Sequence, residues 1–400
     1  MIINNYDKLN GNERYEFLHF LSHGLWDSVV NLQCLCKKDK AYLTFHSNLT
    51  KMHVSYYFVR RLNELIILLN KEGYKIKDCN SNKFTDFITC LIDVSFEIYN
   101  LVTNCLGLKR ENLTISKFED KKYSSDEKLI FVKKFKKAID KIEGVKLALL
   151  QGSLSTLDYT GFSDFDTFII LNKRLLHDPE DLIKTIFELY KNSVFFYLFD
   201  PLQHHRYFFA FEQDLQCYNQ SFLPTEVWKH ATILKGASPI EVNSYNSIFS
   251  HNFFITGSIE YFLKQKRNNY DIKNYWYLKY FVSMIFFLPV LWLETNGEYV
   301  YKRESFTRIR DLLPKSLSEY LDLCSEIRAQ FKYNPSILER LLGFLFLKFL
   351  KNPMLYEYLM SKFSRCILYE DYKKIFEQSS EYVFWFKNKL LFKRQYLKCI

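Results

Sequence analysis

VKLALLQGSLSTLDYTGFSDFDTFIIL, Val145 to Leu171, is the stretch that decides how this chain is read. Val145 to Leu150 is an apolar run long enough for a buried strand and too short for a helix, and Thr167 to Leu171 is a second. Between them stand Gly152-Ser153 and, eleven residues after the serine, Asp164-Phe165-Asp166. Side chains at i and i+2 of an extended segment share a face, so the two aspartates project together while Phe165 turns into the core. Adjacent carboxylates repel, and a divalent cation between them removes the repulsion. Mg²⁺ takes oxygen ligands and keeps waters or substrate phosphates in its shell. A strand that ends in Gly-Ser and turns into a helix offers backbone N–H groups and a hydroxyl to phosphates.

Gly-Ser by itself is a turn, and Asp-x-Asp by itself is a solvated strand edge. Their order between two apolar strands carries the reading. The combination resembles the signature of the polymerase-β-type nucleotidyltransferase superfamily, over roughly a quarter of the chain. The resemblance implies an α+β fold with a mixed sheet and helices on one side, two Mg²⁺ ions, and a nucleoside triphosphate, ATP before the others. It also implies transfer of a nucleotidyl group to a hydroxyl or phosphate with release of pyrophosphate. The acceptor stays open: a small molecule, an RNA end or a protein side chain. On this resemblance Asp164 and Asp166 are metal ligands and catalytic residues, and Gly152 and Ser153 hold the triphosphate. In the polar turn Tyr299 to Ser305, Lys302 and Ser305 contact the triphosphate as well. The alternative there is a loop and helix N-cap, which Ser305 satisfies alone.

Members of the superfamily carry a third carboxylate on a later strand, and no apolar-Asp-apolar triplet follows here. The candidates are Asp200, at the end of an expected strand Ser193 to Phe199, His205 at the start of the next strand, and Glu212 or Asp214 at its far end. Asp200 is favoured as the third metal ligand, because carboxylate oxygen suits Mg²⁺. Histidine is a poor Mg²⁺ ligand and a better base, so His205 is the candidate to accept the proton of the attacking hydroxyl. This gap opens a second reading from another class, a nucleotide- or partner-binding protein that keeps the fold and has lost turnover.

The rest of the chain frames this centre. Its 400 residues exceed what one core usually holds, and few Gly (11) and Pro (8) beside 18% aromatic residues point to a helix-rich chain. Three parts are expected: a helical N-terminal domain (1–142), the nucleotidyltransferase domain (143–245) and a C-terminal helical bundle (246–400). Helices are expected at Glu13 to Cys36, Met52 to Asn70, Lys83 to Cys105 and Ser124 to Ile142, the last capped by Ser124-Ser125-Asp126-Glu127. Asp178-Pro179-Glu180-Asp181 opens another, and six more run between Asn252 and Ser364. His19, His23, His46 and His53 show no ligand spacing.

A net charge of +10 suits a polyanion, but the lysines fall on exposed helix faces, so nucleic acid is weakly supported. Nine cysteines without paired metal spacing point to free thiols in a reducing, cytoplasmic compartment. The polar N-terminus shows no signal peptide. Phe281 to Leu293 is too short to span a bilayer and contains Pro289, so no membrane partner is expected.

Overall fold

The two apolar runs pair with each other at the centre of a mixed sheet. The computed structural model describes residues 6–42, 49–120, 129–267, 272–367 and 369–391. Its strands are β1 (Lys109–Leu113), β2 (Ser116–Lys117), β3 (Val145–Leu150), β4 (Thr167–Leu171), β5 (Tyr207–Phe211), β6 (Tyr218–Asn219), β7 (Thr232–Lys235) and β8 (Ile240–Tyr245). Five of them form the central sheet in the order β2-β7-β3-β4-β5, and β1-β8-β6 form a second sheet. β3 is antiparallel to both β4 and β7, whereas β5 is parallel to β4 with Thr167 opposite Tyr207.

Both faces of the central sheet are covered, which is why β4 reads as an unbroken apolar run rather than an alternating one. Ala148, Leu150, Ile169, Leu171, Phe209 and Phe211 enter the larger core, which runs from Tyr6 to Leu390. Their neighbours Leu147, Leu149, Phe168, Ile170 and Ala210 enter a smaller core around Trp228 and Tyr218. Strands β1 and β2, from residues 109–117, pair with β8 and β7, so the segment before residue 142 contributes to both sheets.

The helices are α1 (Gly11–Val30), α2 (Lys37–Tyr42), α3 (Tyr56–Lys71), α4 (Phe84–Cys105), α5 (Leu129–Ile139), α6 (Gly152–Thr156), α7 (Pro179–Asn192), α8 (Val194–Phe199) and α9 (Thr225–Lys229). The C-terminal part adds α10 (Ile248–Arg267), α11 (Tyr275–Glu294), α12 (Lys302–Arg310), α13 (Lys315–Gln330), α14 (Ile337–Leu342), α15 (Pro353–Phe363) and α16 (Tyr369–Leu391). The chain is thus α+β. α7 starts as its sequence requires: the Asp178 side chain accepts from the Asp181 N–H and Pro179 stands in the first turn.

Several expectations change. Ser193 to Phe199 is not a strand but the helix α8, because a short aromatic run has no periodicity that separates a buried helix from a strand. Asp200 therefore caps a helix instead of ending a strand. The helix expected to start at Ser305 begins at Lys302, with Tyr301 as its N-cap. α1 ends at Val30, just before Leu32 takes a φ of 55°. α16, beyond the last expected helix, extends the bundle. The proposed cap at Ser124 to Glu127, and His46, lie outside the described residues.

α11 is long and apolar enough to cross a membrane, and 61% of its most apolar window is buried within the fold.

Candidate functional site

The site lies where β3 ends and where β4 and β5 begin. Gly152 follows β3 with φ +65°, and a Cβ built on it would stand 2.6 Å from Asp166 Oδ2. Backbone sign and space both demand glycine there. The adjacent Gln151 N–H donates to the Asp166 carbonyl at 3.0 Å, which fixes the turn against the carboxylate. Ser153 Oγ donates to Ser163 Oγ at 2.8 Å, and Ser163 Oγ accepts from the Thr160 N–H at 2.9 Å, so the serine also ties down the loop before Asp164.

Asp164 and Asp166 stand just ahead of β4, and Phe165 between them is fully buried against Phe135, Phe196 and Phe199. The alternation expected from the sequence therefore holds, and both carboxylates reach the same partner. His205 Nε2 lies 2.9 Å from Asp166 Oδ1 and 3.7 Å from Asp164 Oδ2. The parallel β4–β5 register brings it there, because Thr167 stands opposite Tyr207 and the residues just before each strand meet. Burial would lower the His205 pKa, but its bonds to Asp164 and Asp166 outweigh that and push it up to about 10. In the ion-free protein a protonated ring donates to both carboxylates, whereas the base expected at this position requires the neutral ring.

Lys279, which the sequence does not single out, and His204, half of the doublet His204-His205 whose sequence suggests a role near the acceptor, complete the cluster. Lys279, the one cation in the apolar helix α11, is fully buried, and its Nζ lies 2.7 Å from Asp164 Oδ1 while also donating to Asp200 Oδ2. A lone lysine in twenty otherwise apolar or polar-neutral positions, closed by Glu294, was the available signal: such a cation must find a carboxylate. Burial would raise the Asp164 carboxyl, yet Lys279 and the neighbouring imidazoles hold it well below the usual carboxylate range. For Asp200 burial prevails over Lys279 and, with Asp164 nearby, pushes its pKa up to about 6. His204 also lies beside Asp164. Its Nδ1 has no hydrogen-bond partner and lies 3.8 Å from Asp164 Oδ1, and burial brings its pKa down to about 4.

The other candidates are placed as follows. Asp200 is buried, accepts from the Leu202 N–H at 3.1 Å and is tied through Lys279 to Asp164 rather than set beside Asp166. Glu212 and Asp214 sit at the far end of β5, where Glu212 meets Lys146 and Asp214 accepts from the Phe211 N–H. Lys302 is half-buried over the Phe287 ring, 4.2 Å from its centre, and burial together with Arg328 brings its ammonium down to about 8, against the pull of Asp166 and Asp164. Arg328 stands over the Phe286 ring, and among the described residues neither cation has an ion-pair partner. Ser305 is fully buried and donates to the Lys302 carbonyl at 2.6 Å, so its hydroxyl holds the first turn of α12. Lys235 donates to the carbonyls of Ile139, Asp140 and Ile142, closing the end of α5.

These residues fit a divalent cation at Asp164, with His204 and His205 offering ligand atoms that all lie within 4.8 Å of one another and Asp166 alongside. The orphaned His204 Nδ1 supports that fit. Asp200, expected as the third metal ligand, is here held by the ammonium that it shares with Asp164. Two imidazoles and a carboxylate suit Mn²⁺, Co²⁺ or Zn²⁺ better than Mg²⁺.

Comparison of the chain with protein-family models, with curated proteins and with solved structures gives no match.

Proposed function

We propose that this chain is a nucleotidyltransferase-type enzyme that binds a nucleoside triphosphate, ATP before the others, between Gly152 and Asp166 and passes its nucleotidyl group to a hydroxyl or phosphate acceptor, releasing pyrophosphate. The observation that carries this reading is the fit of Gly152 to Asp166. A Cβ on Gly152 would stand 2.6 Å from Asp166 Oδ2, so the missing side chain keeps the start of α6 open beside that carboxylate. The finer fold reading, a polymerase-β-like core, is supported by the antiparallel β3–β4 pair joined through α6 and by the α7 crossover to a parallel β5.

In this reading the Gly152 and Ser153 N–H groups meet phosphate oxygens, as helix N-termini do. Lys302, which feels the charge of Asp166 and Asp164, and Arg328, which shares the Phe286 ring with it, would offset the triphosphate charge. Without the ion His205 holds Asp164 and Asp166 together, and a cation bound through its ring would displace the proton that bridges them. A divalent cation bound at Asp164 would supply charge neutralisation at the phosphorus under attack.

A second reading, nucleotide binding without turnover, is favoured by one observation: the place just ahead of β5, beside the carboxylate pair, is held by His205 instead of a third carboxylate. Calorimetric titration with ATP and a divalent cation, run beside a pyrophosphate-release assay with a pool of hydroxyl acceptors, separates the two. Binding with release supports transfer, binding without release supports the second reading, and no binding removes both.

A further inference from the structure

An apolar stripe faces outward on the C-terminal bundle. Helix α14 continues without a break as a π-helix, Gly343–Phe349, closed by an i to i+5 bond from the Leu350 N–H to the Leu345 carbonyl at 2.8 Å. Along this rod Ile337, Leu338, Leu341, Phe344, Leu345 and Phe349 are 79, 51, 60, 62, 42 and 73% exposed. Their spacings of three and four residues, and of five across the wider π turn, keep them on one side. The opposite side is the one that packs, with Glu339 and Leu347 1% and 2% exposed. A contiguous exposed patch of this kind marks a surface that is covered in use.

Its charges say by what. Between residues 337 and 351 the exposed ionic side chains are Arg340, Lys348 and Lys351. The single acid in that span, Glu339, is turned inward, where it accepts from the Tyr333 hydroxyl and from the N–H groups of Ser336 and Arg365. A second copy related by a twofold axis would set these cations against one another with no exposed acid of this span between them. A bilayer with anionic headgroups takes both parts at once. The large apolar side chains enter the acyl boundary, and the long basic side chains beside them reach up to the phosphates.

We propose that Ile337 to Phe349 is an in-plane helix by which this protein docks on an anionic lipid surface. The inference stands apart from nucleotidyl transfer and needs none of the residues assigned to it.

The test is flotation of the full chain with phosphatidylcholine vesicles, with and without phosphatidylserine. Binding is expected only with the anionic lipid, weakened about fivefold by each of Lys348→Gln and Lys351→Gln. It should be lost in the double variant Phe344→Ser, Phe349→Ser, whose melting temperature stays that of the parent because both rings are exposed. Equal binding to both vesicle types, or none to either, overturns the proposal. A concentration-dependent dimer that disappears in the phenylalanine double variant, without flotation, also overturns it and assigns the face to a second copy.

Discussion

Lys279 Nζ lies 2.7 Å from Asp164 Oδ1 on a side chain with no exposed surface, and the same ammonium holds Asp200. A buried cation shared by two carboxylates does little for stability while all three are present, because their desolvation offsets their attraction. Removing one partner strands the others. Lys279→Met is therefore expected to destabilise the fold by about 3–5 kcal/mol in urea unfolding, with a smaller loss when Asp200→Asn is added. An unchanged midpoint in the single variant would show that the lysine does not hold the pair.

Gly152 should be the least replaceable residue of the site. A side chain there adds the left-handed backbone penalty, about 1–2 kcal/mol, to a contact 2.6 Å from Asp166 Oδ2. Gly152→Val is expected to abolish measurable ATP binding by calorimetry, and Gly152→Ala to weaken it strongly. ATP affinity equal to the parent in the valine variant removes the glycine from the site.

What could be read in advance follows from how local each signal is. Gly152, Asp164, Phe165 and Asp166 lie within one strand–turn–strand unit, so their spacing alone predicts which side chains share a face. Lys279 comes from a helix more than a hundred residues away, as the separation of 115 from Asp164 shows, and its pairing depends on how α11 packs. Only its isolation in an apolar run hints at a buried partner. Ser193 to Phe199 reads as a strand because VFFYLF is equally a strand and a helix until the neighbouring Phe135 and Phe165 give it a packing surface. β1 and β2 leave no mark in the sequence because their side chains are largely exposed and show no apolar alternation.

Lys302 and Ser305, which the sequence places together, should separate in experiment. The Lys302 ammonium faces the carboxylate pair, whereas the Ser305 hydroxyl is spent on the Lys302 carbonyl. Lys302→Met is expected to weaken ATP binding while leaving the fold intact. Ser305→Ala is expected to cost about 1 kcal/mol of stability, the worth of one internal hydrogen bond, with ATP affinity unchanged. Calorimetry and urea unfolding on both variants check the pair, and equal losses of ATP affinity would return Ser305 to the site.

The identity of the cation follows from the donors around Asp164. Two imidazoles beside one carboxylate predict that Co²⁺ or Mn²⁺ binds the chelator-treated protein more tightly than Mg²⁺. Co²⁺ also reports its own surroundings through visible absorption bands. His204→Ala should weaken Co²⁺ binding and alter those bands while leaving Mg²⁺ binding little changed. Tighter binding of Mg²⁺ than of Co²⁺ in the parent would restore an oxygen-only set built on Asp164 and Asp166.

His205 carries the pH signature of the site. Its folded pKa, about 10, lies above the unfolded value near ~6.5, so the folded state holds the proton more tightly. The stabilisation from its bonds to Asp164 and Asp166 is fully present below pH ~6.5, and it is lost progressively as pH rises toward the folded value. The parent should therefore melt above His205→Gln by the widest margin in mild acid, and that margin should shrink steadily through the alkaline range. His204, whose folded pKa of about 4 lies below its unfolded value, acts in the opposite direction in both proteins, because its ring resists protonation as pH falls from ~6.5 toward 4. His205 is itself one of the charges that lower the His204 pKa, so the two rings separate only above pH ~6.5, where His204 is neutral in both proteins and the shrinking margin reports His205. A margin that does not change with pH would mean that the ring holds the two aspartates in its neutral form, which would make it available as the proton acceptor that the protonated ring cannot be.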